Sequence, residues 1–139
     1  MKITIETPRQ GEEDEIIIRC AVLDQDLLQL IGRLKKGRQK LPAFCGQEIM
    51  MLPLKDIYYF ESVDHKVFAY CQNQVYEIRK KLYELEADYA GQDFLRISKS
   101  TIVHLPKILH LKPLFNGRFE AALKNGEKVI ISRQYVATL

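Results

Sequence analysis

The residues of this chain best suited to contacting a polyanion form a short polar segment, Ser98-Lys99-Ser100, which interrupts two apolar runs. The two hydroxyls can bond to backbone groups or to phosphate, and the Lys99 ammonium can reach a phosphate or the edge of a guanine. An ordinary solvated turn has the same composition. The composition of this segment, which we call the elbow (residues 98–100), is therefore compatible with both roles.

Arg133 is a second candidate for contacting a polyanion, and it follows an apolar strand pattern near the end of the sequence. Its planar guanidinium can bond O6 and N7 of guanine together, a contact worth ~1–3 kcal/mol. The alternative is a surface ion pair with Glu120 or Glu127. Residues 94–139 carry a net charge of +6, whereas residues 11–26 carry −5. A basic segment favours a polyanionic partner, although charge kept only for solubility would give the same count.

Motifs of enzymes and of metal sites are absent from the sequence. It contains no GxSxG, HExxH or P-loop pattern and no CxxC pair, and neither His104 nor His110 has ligand spacing. Three widely spaced cysteines, Cys20, Cys45 and Cys71, are predicted to be reduced and mostly buried. We therefore expect a protein that is not an enzyme and that has no cofactor and no metal.

The distribution of apolar residues along the sequence predicts a cytoplasmic protein with no membrane partner. No apolar run approaches the ~18 residues that a bilayer span requires. The N-terminal MKITIETP alternates polar and apolar residues and lacks the apolar core of a signal peptide. A chain of 139 residues is long enough for one domain with a short appendage.

That appendage is predicted to be residues 1–40, a strand-strand-helix segment. The strands are expected at residues 2–8 and 15–22, and the helix from the N-cap Asp24 to about Lys36. Because the segment is too short to fold alone, we expect it to pack on the remainder or on a second subunit, as a dimerisation or regulatory element.

Residues 41–139 are predicted to be mainly β. Short strands are expected at residues 47–54, 56–61, 66–71, 74–78 and 108–111. A helix over 79–89 would bury a stripe formed by Ile78, Leu82, Leu85 and Tyr89. The Asn125-Gly126 turn predicts a hairpin of 118–124 with 128–132, in which Ala122 opposes Val129, Ala121 opposes Ile130 and both faces are covered. The predicted fold class is mainly β with two helices.

Five segments, in this order and spacing, resemble the LytTR family of bacterial DNA-binding domains over roughly residues 45–136. They are LPLKDIYYFES, His65-Lys66-Val67, YEIRKKLYELE, FLRISKSTIVHLPKI and FNGRFEAALKNGEKVIISRQYV. The short length resembles the stand-alone members of the family rather than two-component response regulators. The resemblance implies a LytTR-like arrangement of small β-sheets whose loops enter successive major grooves of bent double-stranded DNA, without a recognition helix.

The resemblance also implies three contact positions, which are occupied here by His65, Lys99 and Arg133. His65 could donate to phosphate or accept from a base; the alternative is a polar turn residue beside Asp64. Many members have Asn, His or Arg where this chain has Lys99. The predicted DNA-binding residues are His65, Lys66, Ser98, Lys99, Ser100, Arg118 and Arg133.

The expected function is a bacterial transcriptional regulator that binds specific DNA sequences as a homodimer. Lys66, Lys107 and Arg118 are expected to contact the DNA backbone, where solvated charges would look the same. Arg96, within a strand, is expected to be structural. The alternative function is a β-rich protein-interaction or ligand-sensing module whose basic face meets an acidic partner.

Overall fold

Two antiparallel β-sheets and two α-helices build the molecule, for which the computed structural model describes residues 2–36 and 39–138. The helices are α1 (Gln25–Lys36) and α2 (Leu82–Asp88). The strands are β1 (Lys40–Cys45), β2 (Glu48–Pro53), β3 (Tyr59–Val63), β4 (Lys66–Tyr70), β5 (Val75–Ile78), β6 (Phe94–Arg96), β7 (Thr101–His104), β8 (Ile108–Pro113), β9 (Phe119–Leu123) and β10 (Lys128–Ile131). The larger sheet has the order β2-β1-β5-β4-β3-β7-β6, and the smaller sheet has the order β10-β9-β8. The predicted mainly β class with two helices is confirmed.

Helix α2 packs against one face of the larger sheet. Its side chains Leu82 and Leu85 are buried together with Ile78, Tyr89 and Phe60, so the predicted core stripe is confirmed. The helix begins later than predicted because β5 continues through Ile78, where it pairs with β4. The Glu84 carboxylate then accepts a hydrogen bond of 2.9 Å from the backbone N–H of residue 81, which satisfies one free donor at the helix start.

The smaller sheet covers the opposite face of the larger one. Tyr59 and Val103 of the larger sheet share a buried cluster with Leu123 and Ile131 of the smaller sheet. The Tyr59 hydroxyl donates a 2.7 Å hydrogen bond to a carboxylate oxygen of Glu127. Burial first, and then this hydrogen bond, raises the pKa of Tyr59, which keeps the donor protonated. Apolar packing and the Tyr59–Glu127 hydrogen bond therefore both join the two sheets.

The β9–β10 hairpin forms where it was predicted, but its register differs by one residue. Val129 pairs with Ala121 and Ile130 with Glu120, so the predicted pairings were wrong. The turn has three residues rather than two: the Leu123 N–H donates to the Glu127 carbonyl at 2.8 Å, and Gly126 has a φ of +89°. Only one face is covered, and Ile130 remains 42% exposed.

The two strands predicted at residues 2–8 and 15–22 do not form. Both segments are described without strand structure, and Ile3, Ile5 and Ile16 remain exposed. An extended segment becomes a strand only when a neighbouring strand bonds to its backbone, and apolar alternation does not supply that neighbour. The predicted α1 is confirmed, since Asp24 Oδ1 accepts a 2.9 Å hydrogen bond from the Leu27 N–H.

Strand β1 was missed because Pro42 interrupts its pattern. Strand β5 pairs with β1 only at Phe44, opposite Glu77. Proline is tolerated at position 42 because β5 requires no backbone N–H donor there.

The cysteines are less buried than predicted. Cys20 and Cys45 are exposed and Cys71 is half-buried, all as free thiols. Spacing alone did not reveal that Cys45 ends an outer hairpin strand. Burial raises the pKa of the Cys71 thiol to about 11.

Candidate nucleic-acid interface

The turn between β3 and β4 presents the first predicted contact residue. Val63 pairs with Lys66, so Asp64 and His65 form a two-residue turn. Their φ values of +50° and +67° are those of a type I′ turn, which matches the twist of the flanking strands. His65 and Lys66 are both exposed at its tip.

The elbow connects β6 and β7 and is closed by backbone hydrogen bonds. The Thr101 carbonyl accepts from the N–H groups of Ile97 at 3.0 Å and Ser98 at 3.4 Å. The Ser100 N–H donates to the Ser98 hydroxyl at 3.2 Å. The Ser98 hydroxyl is thus part of the turn itself, while Lys99 at the tip is exposed.

Arg133 lies two residues after the last residue of β10, at the start of a 3₁₀ segment, Arg133–Thr138. A β-carbon at Gly117 would lie 3.4 Å from Cγ of Arg133, so the arginine stem runs closely over that glycine. Gly117 has a φ of +75° and precedes Arg118, which is exposed. Arg118, just before β9, and Arg133, after the end of β10, therefore lie at the same end of the smaller sheet.

Two backbone hydrogen bonds join these three segments. The Ser62 N–H, two residues before the β3–β4 turn, donates to the Ser100 carbonyl at 2.8 Å. The Ser132 N–H, one residue before Arg133, donates to the Ile97 carbonyl at 2.8 Å. The elbow is thus bonded to the segment that leads to His65 on one side and to the segment that leads to Arg133 on the other. Sequence reasoning missed Ser62 and Ser132, because a backbone bond leaves no side-chain signal.

Lys107, also predicted to contact a backbone, lies elsewhere. It follows the far end of β7, and its ammonium is 4.8 Å from the centroid of the Tyr58 ring. This cation–π contact and its partial burial make Lys107 a packing residue of the smaller sheet's edge.

The two acids that the sequence offered as partners for Arg133 are held by other groups. Glu127 accepts from Tyr59, and Glu120 lies 3.7 Å from the Lys128 ammonium. Within residues 2–36 and 39–138, the ion pairs are Lys80–Asp88, Arg96–Glu86 and Lys128–Glu120. The ion pair weighed for Arg133 is not among them, so the interface keeps its exposed cations.

His104 belongs to the core rather than to the interface. Its Nδ1 donates to the Ile57 carbonyl at 2.9 Å, and its ring stacks on Phe94 with centroids 4.2 Å apart. Burial lowers the pKa of His104. In the described part of the chain, no group of three or more His, Cys, Asp or Glu side chains is placed to hold a metal ion. None of the helices there is long and apolar enough to span a bilayer.

A family model described as the LytTr DNA-binding domain matches residues 47–139. The sensory transduction protein LytT of Bacillus subtilis (strain 168) is 26% identical over 117 residues, which are 84% of this chain and 48% of LytT. The chain therefore spans about half the length of that relative. A protein of Staphylococcus aureus (strain bovine RF122 / ET3-1), named as an uncharacterized HTH-type transcriptional regulator, is 31% identical over 118 residues, 83% of this chain and 77% of the relative.

Among solved structures, a LytTr DNA-binding domain from Bacillus cereus superposes with a TM-score of 0.69 at 22% identity. The superposition covers 73% of this chain and 94% of that domain. The match confirms the predicted arrangement of small β-sheets.

Proposed function

Because this chain belongs to the family of LytTr DNA-binding domains, we propose that it is a bacterial transcriptional regulator that binds specific double-stranded DNA through loops of its β scaffold. The bond network around the elbow carries this proposal. It links three cation-bearing segments by backbone hydrogen bonds, so their spacing is fixed before any ligand binds. Contacts that are already in place avoid the entropy of ordering loops on binding.

The three exposed groups have different expected roles. Arg133 offers a planar fork to the O6 and N7 of a guanine in the major groove, and the close packing over Gly117 restricts the direction of that fork. We expect Lys99 to reach a guanine edge or a phosphate. We expect His65, at the tip of the type I′ turn, to contact a base or a phosphate.

The surrounding polar residues are proposed to position the protein on the DNA backbone. Lys66 and Arg118 are exposed next to His65 and Gly117, and each can neutralise a phosphate. Ser100 and Ser98 have hydroxyl groups 3.4 Å apart, and each keeps bonding capacity beyond that contact. These contacts fix register without reading sequence.

The same interface supports a role that is not catalytic. Its exposed groups are cations, an imidazole and hydroxyls held by backbone bonds, an arrangement suited to binding rather than to bond cleavage. Since bacterial DNA lies in the cytoplasm, that is where we expect the protein to act.

We also propose that the protein acts as a homodimer. A single small module contacts few base pairs, and pairing two modules on repeated half-sites raises affinity through effective concentration. Helix α1 leaves Leu30 and Leu34 exposed one turn apart on the same side, the latter at 38% of its surface. A second copy of α1 would cover these two side chains, which makes residues 1–40 the proposed pairing surface.

A salt titration of DNA binding tests the central proposal. The affinity of the purified chain for a random-sequence duplex is measured between 50 and 200 mM salt. Each neutralised phosphate should contribute about −0.9 to the slope of log affinity against log salt concentration. Selection from a random duplex pool should then enrich one sequence class. A chain that binds no duplex at the lowest salt concentration would refute DNA binding.

A further inference from the structure

Arg96, the last residue of β6, binds the elbow from behind with its guanidinium group. Its Nε donates to the Ser98 carbonyl at 2.7 Å, and Nη2 donates to the Lys99 carbonyl at 2.6 Å. Its Nη1 donates to a carboxylate oxygen of Glu86. One planar group thus binds two successive backbone carbonyls and one acid.

The two carbonyls lie on either side of the Lys99 α-carbon. The Ser98 carbonyl belongs to the peptide plane before Lys99, and the Lys99 carbonyl belongs to the plane after it. Because a peptide unit is planar, fixing both carbonyls fixes the φ and ψ of Lys99. The direction in which the Lys99 side chain leaves the backbone is then fixed as well.

Glu86 connects this arrangement to the core. It lies on α2 next to Leu85, which is 1% exposed, so the carboxylate rests on a helix that is packed against the larger sheet. The pairing also neutralises the Arg96 charge, and the Arg96 side chain is only 20% exposed. Arg96 is therefore directed at the elbow and at Glu86 rather than at a ligand.

We propose that Arg96 is a positioning residue that aims Lys99 at its base, and that Glu86 orients Arg96 for this role. The inference rests on the proposed function, since it assigns the sequence specificity of the interface partly to a residue that does not touch DNA. Lysine in place of Arg96 keeps the charge but lacks the planar fork that can bind two carbonyls and an acid together.

The experiment compares the full chain with the variant Arg96→Lys. Two duplexes of equal length serve as probes: one selected by the wild type from a random pool, and one of random sequence. We expect Arg96→Lys to lower affinity for the selected duplex about tenfold, within the range of one base contact, and to leave random-duplex affinity within about twofold. Arg19→Lys, at an exposed position in the N-terminal segment, is the matched control and should change neither affinity.

A double-mutant cycle with Lys99→Ala separates positioning from a general structural effect. If Arg96 acts through Lys99, adding Arg96→Lys to Lys99→Ala should cause no further loss of specificity. A further loss of similar size in that background would overturn the proposal. Equal losses on both duplexes would also overturn it, since Arg96 would then act as a phosphate contact or support the whole fold.

Glu86→Gln provides a second variant that keeps the solvent-exposed shape of α2. We expect it to lower the preference for the selected duplex by about threefold, because the guanidinium loses a charged partner but keeps its carbonyl acceptors. An unchanged preference in both Glu86→Gln and Arg96→Lys would refute the positioning role. A wild type that shows no preference between the duplexes would refute the proposed function instead.

Discussion

Arg133 is the side chain from which we expect most of the base discrimination. Replacing it with alanine removes the guanidinium fork, so affinity for the selected duplex should fall by about 1–3 kcal/mol, roughly 5- to 150-fold. Affinity for a random duplex should fall much less. Competitive binding to the two duplexes measures both losses. Lys128→Ala is the control, since Lys128 is an exposed cation on the same hairpin. Equal losses for Arg133→Ala on both duplexes would assign Arg133 to a phosphate instead.

His104 should make the stability of the fold depend on pH. Burial lowers its pKa below the ordinary value of 6.5, so the unfolded chain binds a proton more readily than the folded chain. The stabilisation is fully present above pH 6.5 and is lost as the pH falls from 6.5 through the lowered folded-state pKa. Urea unfolding between pH 8 and pH 5 should show this loss.

The variant His104→Asn isolates that effect. Asparagine can still donate to the Ile57 carbonyl but does not ionise, so the wild-type and variant curves should diverge at high pH and converge as the pH falls. A constant difference between the two curves across this range would show that His104 does not cause the pH dependence.

Side-chain chemistry and family resemblance were enough to propose candidate contact residues, but their backbone conformation could not be predicted. Asp64 and His65 both adopt positive φ, which a sequence shows clearly only when glycine or asparagine is present. Arg96 was expected to be structural from its place in a strand. Its three acceptors became visible only with the folded elbow.

Helix α2 packs its buried face against the larger sheet, so this packing should dominate its contribution to stability. Leu85→Ala should lower the free energy of unfolding by about 2–5 kcal/mol, because it opens a cavity against the larger sheet. The Tyr83 side chain, on the outer face of the same helix, is 71% exposed, so Tyr83→Ala should lower the free energy of unfolding far less. Chemical denaturation of both variants tests this, and similar losses would contradict the assignment of the buried stripe.

Elements were predictable where a local pattern determines them and not where a partner does. The stripe of α2 and the Asp24 cap of α1 are local features, and both were found. The strands expected at residues 2–8 and 15–22 needed a neighbouring strand, and the register of the β9–β10 hairpin depended on one additional turn residue. Periodicity does not encode either requirement.

The complete chain should be dimeric if α1 forms the pairing surface. Leu30→Glu combined with Leu34→Glu places two charges one turn apart on the exposed apolar side of α1, and should convert the dimer to a monomer in gel filtration. Gln29→Glu, at an exposed polar position of the same helix, should leave the mass unchanged. Removal of residues 1–40 should have the same effect as the double substitution, and an unchanged dimer mass in both would place the pairing surface elsewhere.

The assembly of the interface is the part that the sequence could not supply. The bond between Ser62 and Ser100 joins two separate segments of the larger sheet, and the bond between Ser132 and Ile97 joins the smaller sheet to the larger one. These bonds follow from the order of the strands, which depends on tertiary packing. The family resemblance predicts which positions form the interface, and the hydrogen bonds show how those positions are held together.

The conformation of the β3–β4 turn also limits how the DNA preference of such a protein can diverge. With φ at +67°, position 65 accommodates glycine, asparagine, aspartate or histidine far more readily than arginine, lysine or a β-branched residue. Arg133 is not among the described residues with a positive φ, so its backbone places no such restriction on the side chain. Changes in target sequence should therefore accumulate more freely through position 133 than through position 65. The positive φ of the turn thus limits which side chains mutation can place at position 65.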